Sequence, residues 1–253
     1  MITTYYDGKS LNFLKNKKLN EEQIKFASAC VIQSLIYLRK EKVIHRDVMM
    51  QNIIMDKDRY FNLIDFSFTI HYSEKDNKKK YINTYNMVTP PEMEKLLVYD
   101  YNSDYYRLGS VIYYLIFKKY PFMVKLEKNI TDIVVKYEDA KDFSSPCIDF
   151  MNQLIITDPE KRIGYKDINE LKDHPWFNGF DWAGLEKRQI VSPFKMIEND
   201  FDQSLCIKVD IISVQYLLRY KENSKKRHYK KLIRHFDYSN PIISKNIYNS
   251  IKN

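Results

Sequence analysis

Glycine is scarce in this chain. Only five occur in 253 residues, at Gly8, Gly109, Gly164, Gly179 and Gly184. None of them form a G-x-G-x-x-G arrangement, so the sequence supplies no glycine-rich loop of the kind that covers bound phosphates. Long apolar runs are missing as well. The longest clean one, Val111 to Phe117, has seven residues, whereas a helix that spans a bilayer needs about 20. Cysteine is limited to Cys30, Cys147 and Cys206. An odd, scattered set provides neither a disulfide framework nor a zinc site, and it suits a reducing, cytoplasmic setting. The opening M-I-T-T-Y-Y-D-G-K-S has no basic n-region followed by an apolar h-region, so it does not read as a secretory signal.

What is present is the composition of a globular chain, 44% hydrophobic and 29% charged. Its length allows one or two domains and a full hydrophobic core. Net charge is +8, from 41 basic and 33 acidic residues. Much of the excess sits late, in Lys225-Lys226-Arg227-His228-Tyr229-Lys230-Lys231. This run reads as a solvated helix face in a lysine-rich chain, with a nucleic-acid or anionic-membrane patch as the alternative. No nucleic-acid partner and no transmembrane segment are expected.

Periodicity predicts mostly helix. From Ser10 to Leu38 apolar residues recur at helical spacing, and Asn20-Glu21-Glu22-Gln23 offers a cap with acidic first-turn residues. Short β-rich pieces follow, then a polar loop over 73–80. A strongly apolar helix is predicted from Asp104 to Phe117, with further helices through Ile168 and Leu171. Pro175-Trp176-Phe177-Asn178-Gly179 closes the globular part, and an extended tail with one helical stretch near Val214 to Leu218 follows. No internal repeat is evident.

The most informative residues are His45-Arg46-Asp47, with Asn52 five positions after Asp47 and Asp65-Phe66-Ser67 beginning eighteen positions after it. The text V-I-H-R-D-V-M-M-Q-N-I-I-M-D … F-N-L-I-D-F-S resembles the protein-kinase signature H-R-D-L-x-x-x-N … D-F-G. Further landmarks stand in the same order: Pro90-Pro91-Glu92 at the place of A-P-E, Asp104 in D-Y-Y-R-L-G-S, and Arg162 in D-P-E-K-R-I-G. Residues 174–194, H-P-W-F-N-G-F-D-W-A-G-L-E-K-R-Q-I-V-S-P-F, resemble the segment that joins the C-lobe to the C-terminal tail in AGC-group serine/threonine kinases. Asn199-Asp200-Phe201-Asp202 and Ile233-Arg234-His235-Phe236-Asp237-Tyr238 resemble that tail's later elements.

The resemblance implies a mainly α fold, a kinase-like C-lobe in which a small β-ribbon carries the catalytic and metal loops. It implies a kinase-domain portion over 1–178 and an AGC-type tail over 179–253. It makes Asp47 the catalytic base, Asn52 and Asp65 the Mg²⁺ ligands, and Ile54 a residue lining the ATP site. His45 and Phe66 would belong to the frame of these loops. Arg46 would meet a phosphate on the activation segment, with Tyr81 and Thr84 as candidate sites. Glu92 would pair with Arg162, and Asp104 would orient the catalytic loop's backbone. ATP and Mg²⁺ are the implied cofactors, with a protein substrate or a regulatory protein as partner.

Several features depart from the family pattern. His45 comes 44 residues in, whereas the glycine loop, the V-A-I-K lysine and its glutamate normally precede it by roughly a hundred residues. An absent N-lobe is therefore expected, either because the sequence is a piece of a longer one or because the protein lacks that lobe. Met49 stands where a lysine would contact the transferring phosphate. Ser67 replaces the last glycine of D-F-G, and Tyr85 a threonine. Gln51 and Tyr114 hold places where basophilic AGC kinases carry glutamates. Two readings follow: a serine/threonine protein kinase, and a catalytically inactive pseudokinase acting as a binding module.

Overall fold

The structure, a computed structural model, describes residues 8–72, 88–96, 99–121 and 133–195. It is mainly helical with two small antiparallel sheets. The strands are β1 (Lys9–Ser10), β2 (Val43–Ile44), β3 (Ile53–Met55), β4 (Phe61–Leu63) and β5 (Ile70–His71). The sheet β1-β3-β4 pairs Ser10 with Ile54 and Ile53 with Leu63, while β2 pairs with β5 through Ile44 and Ile70. Strands this short are not stable alone, so helices must hold them in place. These are α1 (Glu21–Lys40), α2 (Pro91–Leu96), α3 (Tyr101–Phe117), α4 (Ser145–Leu154), α5 (Glu170–Asp173) and α6 (Trp182–Glu186).

Helix α1 begins at a capping box. The Asn20 side chain accepts from the Gln23 amide at 2.9 Å, and Gln23 Oε1 accepts from the Asn20 amide at 3.1 Å. Glu21 and Glu22 open the helix and Arg39 and Lys40 close it, matching its dipole at both ends. Nine of its residues, from Ile24 to Leu35, are buried. It therefore runs through the core, and each fully buried Ile or Val contributes about 1.5–3 kcal/mol. Leu11 and Leu14, read from the sequence as part of this helical region, belong instead to a separate 3₁₀ turn over Leu11–Leu14. The break comes where Lys15, Asn16, Lys17 and Lys18 interrupt the apolar stripe.

Helix α3 is buried along most of its length. It packs on α4 at Gly109, where a Cβ would sit 2.6 Å from the Leu154 Cβ. Only glycine allows that approach without displacing the helices. The helix starts at Tyr101, earlier than the periodicity indicates, and Asp100 is its N-cap. Asp104 is thereby freed from capping and lies in the first turn. At the far end Lys118 takes a left-handed conformation (φ 58°) and stops the helix.

Packing does not end at Gly179. Phe177, Phe180 and Trp182 form a mutual aromatic cluster. Arg188 pairs with Asp56 in the β3–β4 turn, Tyr60 donates to the Ile190 carbonyl at 2.7 Å, and Phe194 stacks edge-on to Phe61. All of these contacts lie within one compact unit. The tail helix read near Val214 and the elements at 199–202 and 233–238 lie outside the described residues, as do Tyr81, Thr84, Tyr85 and the 225–231 basic run.

A buried ion pair fixes α2 to the helical body. Arg162 grips Glu92 with two parallel bonds of 2.9 and 3.0 Å and also donates to the Asn102 and Ile156 carbonyls. Ser103 Oγ adds a bond to Glu92 at 3.1 Å. Removing one member strands the other in a dry site, so Glu92→Ala should cost about 3–5 kcal/mol. Urea unfolding checks this, and the Glu92→Ala/Arg162→Met double variant should lose less than the sum of the two single changes.

Candidate active site

Residues 45–52 form a loop between β2 and β3, laid directly over the first turn of α3. The Asp104 carboxylate accepts the His45 amide through Oδ2 and the Arg46 amide through Oδ1, both at 2.8 Å. Asp104 is fully enclosed. Burial pushes its pKa up to about 6, with the two amides and the neighbouring Arg107 and Arg46 charges pulling the other way. Arg46 holds a left-handed backbone (φ 68°), uncommon for a residue with a Cβ. Its Nε donates to the Phe68 carbonyl, and its guanidinium lies 5.3 Å from the Tyr99 ring centre.

His45 is neutral in this environment. Burial lowers its pKa to about 4, the main opposition being the Ile64 carbonyl beside it. Its Nδ1 accepts the Asp47 amide at 3.2 Å, so Nε2 carries the hydrogen and donates to the Ile64 carbonyl at 3.0 Å. The ring also meets Phe66 edge-on at 5.0 Å. One imidazole thus joins the 45–47 loop to the strand end that carries Asp65.

Asp47 and Asn52 form a unit. Asn52 Nδ2 donates to the Asp47 carbonyl at 2.9 Å and to Asp47 Oδ2 at 2.7 Å. With both amide hydrogens used, Asn52 has Oδ1 for a cation. The Asn52 carbonyl accepts the Ile64 amide at 2.8 Å, at the end of the β3–β4 register. That bond sets Asn52 and Asp65 on neighbouring strand ends. Asp65 is exposed, with φ 64°, and opens the 3₁₀ turn Phe66–Phe68. Its Oδ1 accepts from the Ser67 amide at 3.1 Å and from the Ser67 hydroxyl. Ile54 is half-buried in β3, between Ser10 and Asn62. Glu92 and Arg162 pair on the α2 side, as described above. Every one of these candidate residues lies within the described segments, and the loop 45–52, the 64–68 turn and α3 meet through the bonds just given.

Sequence reasoning missed Arg107. Its side chain is wholly buried, with Nη1 3.7 Å from Asp47 Oδ1 and Nη2 3.1 Å from the Tyr99 hydroxyl. The available signal was spacing. Asp104 and Arg107 stand three apart on one helix and so share a face.

The donor set around Asn52 and Asp65 consists of oxygens, the ligand type of a magnesium ion. Among the described residues no group of three or more His, Cys, Asp or Glu side chains converges, so this is no all-protein metal cage. One carboxylate oxygen and one carboxamide oxygen nevertheless suit Mg²⁺, which keeps water and takes phosphate oxygens for its remaining positions. The residues fit the ion.

A family model described as "Protein kinase domain" matches residues 1–177. The chain belongs to the protein kinase domain family. Among its curated relatives, cGMP-dependent protein kinase 2 of Rattus norvegicus is 29% identical over 195 residues, covering 74% of this chain and 26% of the relative. Rhodopsin kinase GRK1 of Homo sapiens is 30% identical over 191 residues, 71% of this chain and 33% of that protein. Serine/threonine-protein kinase sgk-1 of Caenorhabditis elegans is 30% identical over 198 residues, 75% of this chain and 42% of that one. Homology to AGC-group kinases is thus distant and covers about three quarters of the chain, while the chain spans only a quarter to two fifths of these relatives. ATP and Mg²⁺ are typical of the family. Among the described residues no helix is long and apolar enough to cross a membrane.

The two shifted groups act on stability with opposite signs. His45 has a pKa of about 4 folded against 6.5 free. The unfolded chain therefore binds the proton first, and stability falls as pH drops from 6.5 to 4. Asp104, at about 6 folded against 3.8 free, binds it first in the folded state, so stability rises as pH drops over nearly the same window. His45→Phe removes the first effect alone. Its deficit relative to the parent should shrink by about 3 kcal/mol between pH 6.5 and 4, measured by chemical unfolding at each pH. Arg107→Met takes a buried cation from beside the Asp47 and Asp104 carboxylates and should cost about 3–5 kcal/mol in the same assay.

Proposed function

We propose that this chain carries the C-lobe half of a serine/threonine protein kinase active site over residues 1–178, followed by an AGC-type tail over 179–253. Its reaction is transfer of the ATP γ-phosphate to a protein hydroxyl. The observation that carries this reading is the Asp47–Asn52 clamp, fixed from below by Asp104 and joined to the Asp65 strand end through Ile64. Asp47 faces an incoming hydroxyl as base. Asn52 Oδ1 and Asp65 hold the metal, Ile54 lines the nucleotide site, and Glu92 with Arg162 anchors the segment that presents substrate. When bound, the metal neutralises the phosphate charge that builds during transfer. The five glycines support no phosphate-covering loop within this sequence, so the proposed half-site relies on a further segment or a partner to roof the nucleotide. A protein carries the acceptor hydroxyl, and an intracellular setting agrees with the three scattered cysteines.

Met49 favours a second reading, a pseudokinase that binds nucleotide or partner protein without turnover. A thioether at the place of a phosphate-contacting ammonium gives up an electrostatic contribution worth roughly 10²–10³ in rate. The readings share a binding site and differ in transfer.

Thermal unfolding with nucleotide separates them. A ligand that binds only the folded state raises stability by about 2.7 kcal/mol at a hundredfold excess over its Kd. ATP with Mg²⁺ should raise the melting midpoint, and ATP with EDTA should not. Asp65→Asn and Asn52→Ala should abolish the response, while Asp47→Asn should keep it. A response that survives in Asp65→Asn would refute the metal assignment. Metal-dependent binding without phosphate transfer to any protein acceptor selects the pseudokinase.

A further inference from the structure

Ser67 is a departure from the family pattern that the proposed function leaves unexplained, and its side chain touches the metal half of the site. Asp65 is exposed and holds a left-handed backbone, so little packing restrains its carboxylate. Among the described residues, it is Ser67 that hydrogen-bonds this carboxylate. The Ser67 amide and the Ser67 hydroxyl both donate to the same oxygen, Oδ1. A glycine would keep the amide and lose the hydroxyl. With Oδ1 taking two donors, Asp65 offers a cation Oδ2.

We propose that Ser67 is a specificity-determining residue that holds Asp65 to one ligand oxygen and so selects small divalent cations over calcium. This rests on the reading of Asp65 as a metal ligand. The chemistry follows from ion size. Mg²⁺ and Mn²⁺ take octahedral sets of single oxygens, whereas Ca²⁺ takes six to eight oxygens and readily chelates a carboxylate through both. A carboxylate whose second oxygen is occupied suits the first group and deprives the second of its chelate. The hydroxyl also fixes the carboxylate's rotamer, as partners beyond the first coordination sphere commonly do, where their loss weakens metal binding about 10- to 100-fold. Because the turn that carries Ser67 ends at Phe68, whose carbonyl takes Arg46 Nε, the clamp is tied at both ends and does not swing away with the loop.

The test uses the full chain with ADP and Mn²⁺ as a paramagnetic probe, reading bound Mn²⁺ by electron paramagnetic resonance and displacing it with Ca²⁺. The parent should bind Mn²⁺ and yield it only to a large excess of Ca²⁺. Ser67→Ala, which removes only the hydroxyl, should narrow the Mn²⁺-to-Ca²⁺ preference about tenfold. Ser67→Thr, which keeps a hydroxyl, should retain it. Metal-free melting midpoints should agree among the three, since the side chain is exposed. An unchanged preference in Ser67→Ala, or Mn²⁺ bound more tightly there with the preference intact, would overturn the clamp while leaving the metal site standing. No Mn²⁺ binding by the parent would overturn the metal assignment itself and this inference with it.

Discussion

One carboxylate holds the site's frame. Asp104 takes the amides of His45 and Arg46 at the same distance through separate oxygens, which fixes both the position and the direction of the chain entering Asp47. That pair of bonds helps hold Arg46 left-handed, a conformation that costs about 1–3 kcal/mol for a residue with a Cβ. The carboxylate is reliable because its helix is. Helix α3 is buried along most of its length and locked to α4 by the close approach at Gly109, so the rigidity of the core passes directly to the loop. The first turn of α3 anchors two partners at once. Asp104 reaches the loop, and Asn102 and Ser103 reach the Arg162–Glu92 pair.

From that anchor the geometry spreads by backbone contacts more than by side-chain ion pairs. The Asp47 amide bonds the His45 ring, the ring's other nitrogen bonds the Ile64 carbonyl, and the Ile64 amide bonds the Asn52 carbonyl. The circuit closes when Asn52 reaches back to Asp47. A protonated His45 could not accept the Asp47 amide, so the circuit depends on the neutral ring that burial enforces.

The legible part of this arrangement is the part written locally. Asn20 and Gln23 lie three residues apart, and the capping box follows. The motif residues His45, Asp47, Asn52 and Asp65 sit at spacings that a loop and a hairpin can bring together. What is distributed is not legible in the sequence. Arg107 looks like an ordinary polar residue in an amphipathic helix, and its burial beside Asp47 depends on how α3 meets a loop some sixty residues earlier. The packing of the segment after Gly179 is distributed in the same way. Arg188, Ile190 and Phe194 owe their contacts to Asp56, Tyr60 and Phe61, more than a hundred residues away, and neither end announces the other. The split between Leu14 and Leu19 does not show in the periodicity, because a 3₁₀ turn and an α-helix both repeat apolar residues at three- to four-residue spacing.

Charge placement separates what the site keeps from what it lacks. Beneath the loop the balance is even, with Asp47 and Asp104 against Arg46 and Arg107, all four buried. Arg107 is fully enclosed, so it meets Asp47 from the protein side and has no path to a phosphate arriving from solvent. It therefore does not replace the ammonium that the proposed function lacks at Met49. In the proposed reading, the base remains held in position while the phosphate loses one electrostatic partner. Positioning and transition-state stabilisation act on different quantities, the first on how often reactants align and the second on the barrier once they do. A chain that keeps the first and weakens the second should still capture its ligands in order, and turnover should fall well before binding does.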